Sequence, residues 1–191
     1  MRDTTHLFRV PTLVVSAALF VLAPAAHAQT WIDGEMGYRV TVVPSASPAA
    51  RAGLRLGDVL AEPVALVSRL RDAGSEGVAI PLYRLDTATA AYARTTLKVA
   101  FMPGEEKRLG TTGDLGFVVT GVKPGSLGAR AELKAGDFIP KIDETFVHDV
   151  KDLRRVDDAY EKGEQVFIQF IRWFPDSADF KTLVSRRRFV K

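Results

Sequence analysis

Two kinds of apolar spacing alternate along the chain. Tyr38 to Val43 and Phe117 to Val122 alternate and are rich in β-branched residues, the pattern of a strand with one buried face. A small-residue turn follows each run, and a short helix opens at Ser47 or Ser126, where a serine hydroxyl can accept an otherwise unpaired backbone N–H. Pro48 suits the first helical position of the first copy. Leu54 and Leu133 then point inward, and Gly57-Asp58 and Gly136-Asp137 turn the chain into strands at Val59-Leu60 and Phe138-Ile139. Helical spacing returns at Val64, Val67 and Leu70 within Pro63 to Asp72. It returns again at Val150, Leu153, Val156 and Tyr160 within Phe146 to Tyr160. A strand (Val78 to Leu85, Gln165 to Trp173), a polar turn and a last strand (Thr95 to Phe101, Lys181 to Phe189) close each half.

The halves are copies. Shifted by 79 positions, Gly37 to Asp58 (GYRVTVVPSASPAARAGLRLGD) aligns without a gap on Gly116 to Asp137 (GFVVTGVKPGSLGARAELKAGD), and half of the pairs are identical. Gly53 suits the left-handed position that ends the short helix, and Glu132 stands there in the second copy. The first half is shorter, with nothing to match Pro140 to Phe146. The boundary falls at Met102 to Lys107, where Pro103-Gly104 breaks the pattern and a charge run follows.

The N-terminus sets an expected compartment. Arg2 and Arg9 precede an apolar stretch, Val10 to Leu22, that ends at Pro24 and is followed by Ala26-His27-Ala28. This is the pattern of a signal peptide over residues 1–28, with a mature start at Gln29. Pro11 and Ser16 interrupt the stretch, which falls short of the roughly 20 residues that span a bilayer. The protein is therefore expected to be periplasmic or secreted. With no cysteine there is neither a lipid attachment site nor a disulfide framework. A formal charge of +3 leaves no footprint for nucleic acid, and Arg186-Arg187-Arg188 reads as a solvated strand end.

Little in the composition points to catalysis. Beyond the signal segment one histidine remains, His148, expected to be neutral and exposed or capping at the start of a helix. There is no thiol, no HExxH, no His/Cys cluster and no serine in a Gly-rich nucleophile turn, so neither a metal nor a cofactor is expected. Composition alone does not dismiss a Ser–Lys pair, but two small domains leave no room for a protease domain.

The residues just described resemble the PDZ family, in the bacterial form found beside periplasmic proteases. The resemblance rests on SPAARAGLRLGD and SLGARAELKAGD, similar to the family's helix and Gly-Asp turn. It rests also on Asp114-Leu115-Gly116-Phe117 and Glu35-Met36-Gly37-Tyr38, similar to its carboxylate-binding loop. It implies an α+β, mainly β fold of two small, partly open β-barrels or sandwiches, each with two helices, over residues 29–103 and 104–191.

The resemblance also implies a non-catalytic adaptor or scaffold that binds extended peptide segments or C-termini of envelope proteins, with a periplasmic protease as a further partner. Binding would proceed by strand addition. Leu115, Gly116 and Phe117 would offer backbone N–H groups to a terminal carboxylate, and the strand through Val118 and Val119 would offer its edge. Val150 and Arg154 would line the helix wall, and Met36, Gly37 and Tyr38 would repeat the loop in the first copy. Lys107 and Arg108 either attract the carboxylate or are solvated. Arg154 and Asp157 stand where the family usually carries apolar groove residues, and Arg39 follows the first loop, departures that make the grooves more polar or narrower. Two alternatives stay open: a purely structural protein with closed grooves, and a regulatory remnant or subunit of a periplasmic protease. An open or covered edge beside Phe117 to Val122 separates the adaptor from the structural protein.

Overall fold

The computed structural model describes residues 31–188; the predicted signal segment, the Gln29 start and residues 189–191 lie outside the described residues. The described chain is mainly β, with 46% strand against 19% helix. In order it forms β1 (Ile32–Val42), α1 (Pro48–Arg51), β2 (Val59–Ala61), α2 (Pro63–Arg71), β3 (Val78–Asp86) and β4 (Ala91–Val99). The second half follows with β5 (Thr112–Val122), α3 (Leu127–Arg130), β6 (Phe138–Ile142) and β7 (Thr145–Phe146). A 3-10 turn (Val150–Leu153) then leads into α4 (Arg154–Lys162), β8 (Gln165–Phe174) and β9 (Asp179–Arg188).

Local chemistry accounts for most of these elements. Ser47 and Ser126 cap α1 and α3 by accepting the N–H of Ala50 and Ala129. Asp149 and Asp152 form a reciprocal capping box at the 3-10 turn, which fixes where the helical run that ends in α4 begins. The apolar face of α4, Val156 and Ala159, is buried, and Gly163 ends the helix in the left-handed conformation. The extra length of the second half is the extended end of β6 and its hairpin partner β7.

Two separate sheets were expected, and one open antiparallel sheet is found, in the order β4-β3-β2-β1-β5-β6-β8-β9 with β7 beside β6. The join is the ladder between β1 and β5, which runs from Ile32↔Val122 to Val42↔Thr112. Both strands begin well upstream of the alternating runs, in segments (Asp33-Gly34-Glu35, Gly113-Asp114) whose low strand propensity hid them.

The upstream ends change places. Trp31 and Ile32, at the start of β1, are buried in the core of the second half with Phe117, Leu153 and Ile168. Leu109, just ahead of β5, is buried in the core of the first half with Val40, Leu60 and Leu82. Burying a side chain of this size contributes roughly 1.5–3 kcal/mol, so each half is completed by a segment of the other. The division at 103/104 marks the connection between the copies; it does not separate their cores.

Candidate functional site

Gly37 pairs with Gly116, its own counterpart in the repeat. Exchanging the two copies therefore maps the ladder onto itself, as in an isologous interface. The direction of the backbone groups follows from the neighbours. Val119 donates its N–H to Asp137 O (2.8 Å) and its C=O accepts from Gly136, so it faces β6; Val40 does the same with Asp58 and Gly57 on the β2 side. Strand alternation then turns Gly116 and Gly37 toward each other. Their lack of a side chain is required by close approach. A Cβ on Gly116 would lie 2.6 Å from Ile139 O and from the Phe138 ring, and one on Gly37 would lie 2.3 Å from a Val59 methyl.

Those contacts belong to a third core that straddles the join: Val59, Ala61 and Tyr83 from the first half, Val118 and Phe138 from the second, with Tyr92 and Ile171 packed against it. The hairpin tips close over it. The Phe180 ring sits where a Cβ on Gly57 would project, and Ala90 O stands in the same relation to Gly136. The Trp173 indole N–H donates to Thr87 O at 3.2 Å, and Tyr92 OH donates to Gly57 O at 3.1 Å. Arg39 lies under Phe180, 4.8 Å from the ring centroid, and opposite Asp114 at 3.7 Å.

Each half carries the same ion-pair lock beneath its Gly-Asp turn. Arg84 holds both carboxylate oxygens of Asp58 at 3.0 and 2.7 Å and reaches Gly53 O, and Arg55 N–H caps the carboxylate. Arg172 holds Asp137 at 2.7 and 2.8 Å and reaches Glu132 O, with Lys134 N–H as the cap. Bidentate geometry satisfies carboxylates that are almost wholly buried. Burial pushes the Asp137 carboxyl up, and Arg172 and the Lys134 N–H pull against it. Tyrosines at the join are also raised. Burial and a hydrogen bond to Glu35 push Tyr83 up to about 12, and burial lifts Tyr92 strongly. Tyr38 is raised by burial and by the nearby Asp114 charge.

The residues of the expected peptide site are placed as follows. Met36, Gly37, Tyr38, Leu115, Gly116 and Phe117 lie within strands, not in loops. Phe117 and Val119 are buried in the second core and Val118 in the join, while Leu115, opposite Tyr38, is 38% exposed. Val150 packs at the margin of the second core, and Arg154 is exposed at the start of α4. The edge beside Phe117 to Val122 is covered on both sides, by β1 along its length and by β6 at Phe117 and Val118. Lys107 is tied to Ala73 O, and Arg108 pairs with Glu106 in the exposed connection. His148 is exposed and gives its backbone N–H to Asp152.

Sequence reasoning missed Arg84, Arg172, Trp31 and Phe180. A signal for the two arginines was present: Val78-Ala79-Ile80-Pro81-Leu82-Tyr83-Arg84 and Val166-Phe167-Ile168-Gln169-Phe170-Ile171-Arg172 share the spacing V-x-I-x-Φ-Φ-R. Trp31 and Phe180 have no such signal, since each acts in the opposite half.

A cleft of about 370 Å³ opens beside α4, lined by Trp31, Ser126, Leu127, Arg130, Asp157, Tyr160 and Glu161. Ser126 Oγ donates to Trp31 O at 2.8 Å, and Arg130 lies over Tyr160 at 5.9 Å from the ring centroid. Burial raises the Asp157 carboxyl. Among the described residues no group of three or more His, Cys, Asp or Glu is placed to hold a metal ion, and no helix is long and apolar enough to cross a membrane. The chain matches no family model and no curated protein.

Proposed function

We propose that the protein is an exported, non-catalytic interaction module: two PDZ-like units locked into one platform by exchange of their upstream strand ends. The observation that carries this reading is the β1–β5 ladder centred on Gly37 and Gly116. It uses the backbone groups that a strand-adding peptide would need, so partners engage the outside of the platform and not the Leu115–Phe117 segment. Hydrogen exchange tests it. The Gly37 and Gly116 amides should exchange only on global unfolding, and peptides with free and amidated C-termini should bind alike. Fast exchange at these amides, with binding lost on amidation, would return the carboxylate-binding adaptor to first place.

That adaptor is the second reading, and one observation favours it in altered form. On the side away from β5, no described strand pairs with Ile32–Met36, and the cleft beside α4 opens at the head of this segment. Peptide binding that fails in Asp157→Lys but survives changes at Leu115 would select it. N-terminal sequencing of exported protein should begin at Gln29; a retained Met1 in a membrane fraction would overturn the export reading.

A further inference from the structure

We propose that the open edge of β9 is a strand-addition site for an extended, acidic segment of a partner protein. This rests on the interaction-module reading and supplies the partner surface that the sealed ladder removes. β9 ends the sheet and pairs only with β8 among the described residues, from Gln165↔Arg188 to Phe174↔Asp179 without a register shift. Edge strands are commonly blunted by bulges or proline, and β9 has neither.

Its free backbone groups are identifiable. Phe167 gives its N–H to Asp143 Oδ1 at 2.9 Å and accepts the Asp143 N–H at 2.7 Å, so both groups point toward β6 and away from β9. Phe167 and Arg186 are therefore a non-hydrogen-bonded pair. Arg186 aims its own N–H and C=O outward, and alternation does the same for Thr182 and Val184.

Side chains supply the selectivity. Val184 is 59% exposed and Phe167 39%, with the Arg186 guanidinium over the Phe167 ring at 5.4 Å. In a chain of formal charge +3, β9 alone carries Lys181, Arg186 and Arg188 against Asp179, besides Arg187, which pairs with Glu132. This charge refuses a second β9 and attracts an acidic strand, so one set of residues serves exclusion and recognition. The sheet's other end is less suited. On β4, Arg94 is paired with Glu62 at 3.4 Å, and no large apolar side chain is exposed.

Fluorescence titration of the full exported chain is the test, with a labelled peptide of alternating Glu and Val as long as β9 and a Lys/Val counterpart. The acidic peptide should bind at least about tenfold tighter, and Arg186→Glu should remove about tenfold of its affinity, roughly the effect of one lost charge-assisted contact. Val184→Pro should abolish binding with little change in melting temperature, because the N–H it removes faces away from β8. Equal binding of both peptides, or acidic-peptide affinity unchanged in Arg186→Glu, would overturn the proposal; the latter holds even where Val184→Pro fails to fold. Concentration-dependent dimers removed by Val184→Pro would also overturn it, by making a second copy the occupant. None of these failures would alter exchange at Gly37 and Gly116, so the platform reading stands or falls separately.

Discussion

The two halves of the chain share the glycine at the crossing and the ion-paired Gly-Asp turn and differ in their second helices. Both keep the Gly at the crossing, the Gly-Asp turn and the arginine that clamps its carboxylate. Their second helices diverge. α2 leaves Val64 and Val67 largely exposed, whereas α4 buries Val156 and Ala159 and rises from a capped 3-10 turn. The left-handed position that ends the first short helix is Gly53 (φ 85°) in one half and Glu132 (φ 62°) in the other. The shared devices are those in which a close backbone approach or a buried carboxylate fixes the residue type.

Removing a lock should have the largest effect. Asp137→Ala leaves Arg172, which is only 18% exposed, and the Lys134 N–H without their acceptor, and should cost about 3–5 kcal/mol in denaturant unfolding. Arg84→Ala in the first half should do less than Arg172→Ala, because Arg84 is the more exposed of the two arginines. Equal losses would mean that the locks are equivalent despite their different burial.

The crossing glycines provide the next test. Gly116→Ala meets a backbone carbonyl in a ladder that cannot shift alone, and should cost about 1–3 kcal/mol; Gly37→Ala meets a Val59 methyl and should cost less. Urea denaturation of both variants checks the order. The same contacts make Gly116→Val costlier still.

Glu132→Gly relieves a non-glycine residue in the left-handed region, worth about 1 kcal/mol, and gives up the exposed pair with Arg187, worth less than about 1 kcal/mol. A small rise in melting temperature is expected, and a fall from the reciprocal Gly53→Glu. A drop in Glu132→Gly would show that the ion pair outweighs the strain.

A separate effect is expected in alkali. The folded Tyr83 pKa lies above that of the unfolded chain. Its contribution to stability is thus complete below about pH 10 and is lost as pH rises from there toward about 12. Absorbance titration should show Tyr83 ionising late, with stability falling over that window; ordinary tyrosine ionisation without loss of stability would contradict a buried join.

The sequence by itself determined the duplication, the order of elements, the serine caps and the long second half, because each depends on residues close along the chain. Ser47 accepts from Ala50, and Asp149 from Lys151, within a turn of each other. Tertiary structure alone decided where the strand edges go. Local pattern assigned the alternating run at Phe117 to the second half's free edge, but whether Gly116 meets solvent, a peptide or Gly37 depends on a segment 79 positions away. Trp31 likewise reads as a residue of the first half and is buried in the second. Strand pairing is a contact between distant segments, and both copies carry nearly the same pattern. Alternation therefore fixed which residues face a core, and only the assembled sheet fixed which core and which partner strand.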